Sequence, residues 1–204
     1  MKTNTLKWSI ISLAPAAMLA LASCSSNSST PAGLTSSSAV YQPGVPGGVM
    51  VDTFKMTATV TGIDAPSRKV TLVTRDGKET TVKCGPEVIN FDQIRVGDQL
   101  KITATEELAV AMSTAGAPPS DGGAAIVALA PKGARPGGMM ANTVQVTAKV
   151  TAIDVKHHKA TLQFPDGTTH TVAVRPDVDL TQRQVGEEVV IRSTEALAIS
   201  VEKP

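Results

Sequence analysis

Phe54 to Asp64, FKMTATVTGID, returns further along the chain as Val144 to Asp154, VQVTAKVTAID. Both copies alternate. Phe54, Met56, Ala58 and Val60 fall on one side, and Thr53, Thr57, Thr59 and Thr61 on the other. Val144, Val146, Ala148 and Val150 repeat the apolar side. A period of two is the pattern of a half-buried strand, and Val and Thr suit a pleated surface.

Outward from this stretch the match runs from Pro46-Gly47-Gly48 and Pro136-Gly137-Gly138 to Val110 and Ile199, with one residue deleted before Val185 in the second copy. Thr71-Leu72 and Thr161-Leu162, Asp76-Gly77 and Asp166-Gly167, and Thr105-Glu106 and Thr194-Glu195 all stay in register. This is an internal duplication.

Each copy predicts the same order of elements. A long first strand bends at Gly62-Ile63, as at a bulge. Val70–Thr74 and Glu79–Cys84 form a hairpin around Asp76-Gly77. Asn90 to Ile94 reads as one helical turn capped by Asn90. Val96-Gly97-Asp98 then turns the chain into Leu100, Ile102 and Ala104, and a hairpin at Thr105-Glu106 leads to Leu108, Val110 and Met112. The fold class is therefore all-β: two tandem five-stranded barrels, each with a short helical turn. That plan resembles the OB-fold barrel, with an SH3-like barrel as the alternative. The ID turn, DG hairpin and VGD turn together resemble small periplasmic β-barrel proteins of proteobacteria, a likeness that carries no functional residues across.

The N-terminus reads as an address. Lys2 and Lys7 form a charged start, Trp8 to Ala22 is apolar, and Leu21-Ala22-Ser23-Cys24 follows. The apolar run is too short for a spanning helix. The last four residues resemble the lipobox of bacterial lipoproteins. That resemblance implies cleavage between Ser23 and Cys24, diacylglycerol on the Cys24 thiol and acylation of the new amino group. Ser25 and Ser26, with no aspartate after the cysteine, resemble the outer-membrane sorting pattern of double-membraned bacteria. Ala20-Leu21-Ala22 also fits an ordinary secretory cleavage site, which would leave the protein soluble in the periplasm.

The expected organisation is a signal peptide at 1–23, a flexible Ser/Pro/Gly tether at 24–49 and a first module at 50–112. A linker at 113–140 and a second module at 141–204 complete it. A tether of that length has an r.m.s. reach of roughly 25–30 Å. Within the linker, AAIVALA at 124–130 is too apolar for a structureless segment. It reads as an extra strand pairing with Leu108 to Met112, or as a short buried helix.

Net charge is +1, and without Lys2 and Lys7 the 19 basic residues become 17 against 18 acidic. A balanced surface has no electrostatic footprint for nucleic acid, and the aromatics left after the signal are Tyr41, Phe54, Phe91 and Phe164.

His157, His158 and Met139 are the candidate metal ligands. His170, expected opposite Gln163, should lie about 20 Å from the His157-His158 turn, so no metal site and no cofactor is expected. Cys84 aligns with Val174 and reads as a packed small hydrophobe. Asp64, Asp154, Glu106 and Glu195 recur in both copies and read as turn residues, not as a catalytic pair. The expected function is a non-enzymatic envelope lipoprotein binding a protein or cell-wall partner. A periplasmic small-ligand or metal-binding protein is the alternative.

Overall fold

The structure is a computed structural model and describes residues 33–113 and 121–204; Ser23 and Cys24 lie outside the described residues. The described residues form one compact unit. Its strands are β1 (Leu34–Val40), β2 (Gly47–Asp64), β3 (Lys69–Thr74), β4 (Glu79–Lys83) and β5 (Gln99–Met112) in the first copy. The second copy holds β6 (Gly122–Leu129), β7 (Gly137–Asp154), β8 (Lys159–Gln163), β9 (Thr169–Ala173) and β10 (Glu188–Glu202). Short 3-10 turns, Phe91–Gln93 and Leu180–Gln182, precede β5 and β10.

All-β stands, but the expected last two strands of each copy are one, and the pairing joins both copies into one open ten-stranded antiparallel sheet, ordered β4-β3-β2-β5-β10-β7-β8-β9. β1 joins it on β2 and β6 on β7. Two separate barrels do not appear in the pairing, because β5 does not fold back at Glu106. It runs straight through and pairs with β10 over fourteen residues, from Gln99 opposite Glu202 to Met112 opposite Val189. Thr105-Glu106-Glu107 contains none of the Gly, Asn, Asp or Pro that a tight hairpin requires. Leu100, Ile102, Ala104, Leu108, Val110 and Met112 keep one parity throughout, as in a single strand.

The fifth strand of each copy is instead found at its start. β1 pairs with the first half of β2, Leu34 opposite Lys55 to Val40 opposite Val49. β6 pairs with the same part of β7, Gly122 opposite Gln145 to Leu129 opposite Gly138. Part of the expected tether is thus a strand, and the apolar linker run pairs with β7, not with Leu108 to Met112. In both cases a long strand leaves half of one edge unpaired, and the preceding chain fills it.

The bulges fall where the alternation breaks, between Val60 and Gly62 and between Val150 and Ala152. There the backbone of Val60 bonds the VGD turn, donating to Asp98 O (2.8 Å) and accepting from Gly97 N (2.8 Å). Val150 does the same with Glu187 and Gly186. The Pro-Gly-Gly starts mark close approaches: a Cβ on Gly47, at φ +96, would fall 2.1 Å from Val110 O, and one on Gly137 2.8 Å from Ile199 O.

Two cores sit at opposite ends of one sheet face. Ala58, Val60, Val70, Leu72, Phe91 and Ile94 form the first, with Ile63, Cys84, Val88 and Leu100 against it. Ala148, Val150, Leu162 and Val189 form the second. Val110 and Met112 of the first copy pack on the second core. β5 therefore starts in one core and ends in the other.

Candidate functional site

A pseudo-twofold axis passes between Glu106 and Glu195, equivalent residues that lie directly opposite each other on β5 and β10. Around it β1-β2-β5-β10-β7-β6 form a six-stranded platform about 24 Å from edge to edge, at about 4.8 Å per strand. One row across its open face reads Ser37, Asp52, Glu106, Glu195, Asn142, Ala125. All six are exposed. Glu106 and Glu195 are thus mid-strand residues, which corrects the hairpin assignment. Like charges directly opposite on neighbouring strands cost a few tenths to about 1 kcal/mol. Met50, Phe54, Leu108, Leu197, Met140 and Val144 flank the row on the same face. The platform is an apolar surface crossed by a line of three carboxylates.

Each copy clasps the turn that opens the other. Arg175, after β9, donates through Nη2 to Val45 O (2.9 Å) and Gln42 O (3.2 Å) and through Nη1 to Gly47 O. Its guanidinium lies 4.3 Å from the centre of the Tyr41 ring. Asp177 orients it through Nε (3.0 Å) and accepts from Gly44 N (2.8 Å). On the other side Asn90 does the equivalent work. It is buried, donates to Pro131 O (2.9 Å) and accepts from Gly133 N (3.1 Å). Asn90 makes no side-chain cap on its 3-10 turn, whereas Asp179 caps the second one by accepting from Thr181 N (2.9 Å).

The Arg175 and Gly44 donors hold the Asp177 carboxyl down at about 2. A carboxyl with a lower pKa folded than unfolded adds stability above its unfolded value of about 3.9 and loses it as pH falls through its folded value. Thermal midpoints of the wild-type protein are therefore expected to fall between about pH 4 and pH 2, and Asp177→Asn should flatten that part of the decline. Parallel curves for the two proteins would show that the clasp does not titrate in this window.

The candidate metal ligands are not brought together. Met139 is near the start of β7, while His157 and His158 lie beyond its far end at Asp154. His170 pairs with Leu162, not with Gln163, so it lies four residues along β8 from His158, about 13 Å. Its ring meets Phe164 edge-on at 5.5 Å. His157 serves the turn, its Nδ1 2.7 Å from Asp154 Oδ2 and its backbone N–H bonded to Asp154 Oδ1 (3.0 Å). Ser67 bonds Asp64 in the same way. These bonds, the side-chain ones first, lower the pKa of both carboxyls, and both aspartates are turn residues as expected. His158 shares the left-handed backbone of its counterpart Arg68 (φ 50 and 52). Arg68 reaches Gly85 O and Val88 O and lies over Phe91, whereas His158 Nδ1 has no hydrogen-bond partner among the described residues. Among the described residues no three His, Cys, Asp or Glu side chains gather where they could hold a metal ion.

Cys84 is half-buried against the first core, and burial pushes its thiol pKa up. Shallow hollows lie on the surface of the described residues. One of about 530 Å³ lies along Leu129, Pro136, Met139 and Ile199, and one of about 450 Å³ lies over Thr57, Thr59 and Thr61 beside Arg75 and Gln99. Among the described residues no helix is long and apolar enough to cross a membrane. Sequence reasoning missed the platform and its carboxylate row because both exist only through the β5–β10 pairing. No family model and no curated protein matches the chain.

Proposed function

We propose that this chain is a non-enzymatic, lipid-anchored protein of the bacterial cell envelope, held at the outer membrane facing the periplasm. Its sheet serves as a platform for an envelope protein or a cell-wall polymer. The observation that carries this reading is the platform itself: an open apolar face crossed by carboxylates, built from both copies and left uncovered by either core. The anchor half of the reading rests on Leu21-Ala22-Ser23-Cys24. β1 begins at Leu34, ten residues after Cys24, and ten flexible residues have an r.m.s. reach of roughly 16–19 Å. Acylation at Cys24 would therefore keep the platform close to the headgroups, nearer than a tether running to residue 49 would.

Replacing Cys24 by Ser is expected to move the protein from the membrane fraction to the soluble fraction on cell fractionation. Unchanged partitioning would sink the anchor. Crosslinking in intact cells, followed by mass spectrometry, tests the platform. Adducts mapping to β2, β5, β7 or β10 support it, and adducts confined to other surfaces count against it.

A further inference from the structure

The sheet has two kinds of edge. β4 carries Glu79 and Lys83, and β9 carries polar side chains at Thr169, His170 and Thr171. Charged side chains and short length blunt an edge, and β4 and β9 are each only five residues long. Among the described residues β6 has no such protection. GGAAIVAL contains no charge, no proline and no bulge, and all eight residues are exposed, Ile126 by 61% and Val127 by 64%.

We propose that β6 is a self-association edge, pairing antiparallel with β6 of a second copy of this chain. The backbone sets the register. Ala130 N donates to Gly137 O, so the residues of β6 that bond β7 alternate from there, and Gly123, Ala125, Val127 and Leu129 turn their N–H and C=O groups outward. Antiparallel self-pairing can then match 123 with 129 and 125 with 127, with the twofold axis beside Ile126. This brings Ile126 against its own copy in a non-hydrogen-bonded pair, where side chains come closest. Every residue on the edge is apolar or glycine, so self-matching brings no like charges together.

A second copy is favoured over the other free edge, β1, on composition and closure. LTSSSAV offers three serines to an apolar strand. A β6 to β1 contact would also be head-to-tail and propagate, whereas β6 to β6 closes at two. The molecule already contains this mode of association, since β5 and β10 are equivalent strands paired antiparallel about an axis through the sheet.

This inference deepens the platform reading, and its test reads mass, so it can fail separately from the anchor. Light scattering of the full chain in mild detergent is expected to give a dimer. Ile126→Lys, which sets two ammonium groups face to face, should reduce it to a monomer. Val127→Pro should do the same, because it removes an outward N–H and leaves the β7 bonds intact. Ser37→Lys on β1 should leave the dimer unchanged. Under mild oxidation Ile126→Cys should crosslink at dimer mass, since Cα atoms of such a pair lie about 4.5 Å apart, within disulfide reach. The same oxidation of wild type controls for Cys24 and Cys84. A monomeric wild type, a dimer that survives both β6 variants, or a ladder abolished by Ser37→Lys would each overturn the proposal.

Discussion

Expressed apart, residues 33–113 and 121–204 are expected to give no folded monomers. Each half would expose the whole edge of its longest shared strand, because the fourteen-residue β5–β10 ladder is the only strand pairing between the copies among the described residues. The loss is more than backbone bonds. Without β5 the second core loses Val110 and Met112, which pack against Ala148, Val150 and Val189. The turn at Gln42–Gly47 loses the Arg175 clasp, and the turn at Ala130–Gly133 loses Asn90. Unpaired central strands self-associate or aggregate. The first half is therefore expected either to remain unfolded or to dimerise through β5 about Glu106, mimicking the native β5–β10 pair. Mixing the halves should restore a one-to-one complex, read by native mass spectrometry. A soluble, cooperatively melting monomer from either half would show that the copies are separate domains.

Phe91→Ala is expected to destabilise the whole unit by about 3–5 kcal/mol, the range for emptying a buried aromatic site. Phe91 is 3% exposed, packs with Val60, Val70 and Ile94, and supports the Arg68 guanidinium 4.7 Å from its ring centre. Denaturant unfolding gives the size of the effect; hydrogen exchange gives its reach. Because β5 joins both cores, amides of β8 in the second copy should lose protection together with those of β3. Domains generally lose a few kcal/mol of their 5–15 to such a change and still unfold as one unit. If β8 keeps its wild-type protection while β3 loses it, the two cores are independent and the single-sheet description fails.

Much of each copy was legible because its signals are local. The Asp76-Gly77 and Asp166-Gly167 turns set hairpins, each glycine at positive φ. The Asx turns at Asp64 and Asp154 and the bulges after Val60 and Val150 each follow from a few neighbouring residues. What stayed hidden is long-range. LTSSSAV has no strand pattern of its own and becomes a strand because β2 presents an empty edge to it. The straight run of β5 through Glu106 is written in its unbroken parity, against the expected hairpin at Thr105-Glu106. At the candidate site, the separation of His170 from the His157-His158 turn followed from strand length, although the pairing of His170 with Leu162 makes it shorter than expected. The meeting of Glu106 with Glu195 required a partner strand that no local pattern names.

The carboxylate row shows what fusion of the two copies makes possible. A symmetric dimer of single modules must carry every residue of the row twice, so Asp52 and Glu106 would become four consecutive acids across four strands. In one continuous chain the copies can drift apart, and Asn142 stands where symmetry would put the fourth acid. The platform is thus handed: one end acidic, the other neutral, so a partner lying across it could tell left from right.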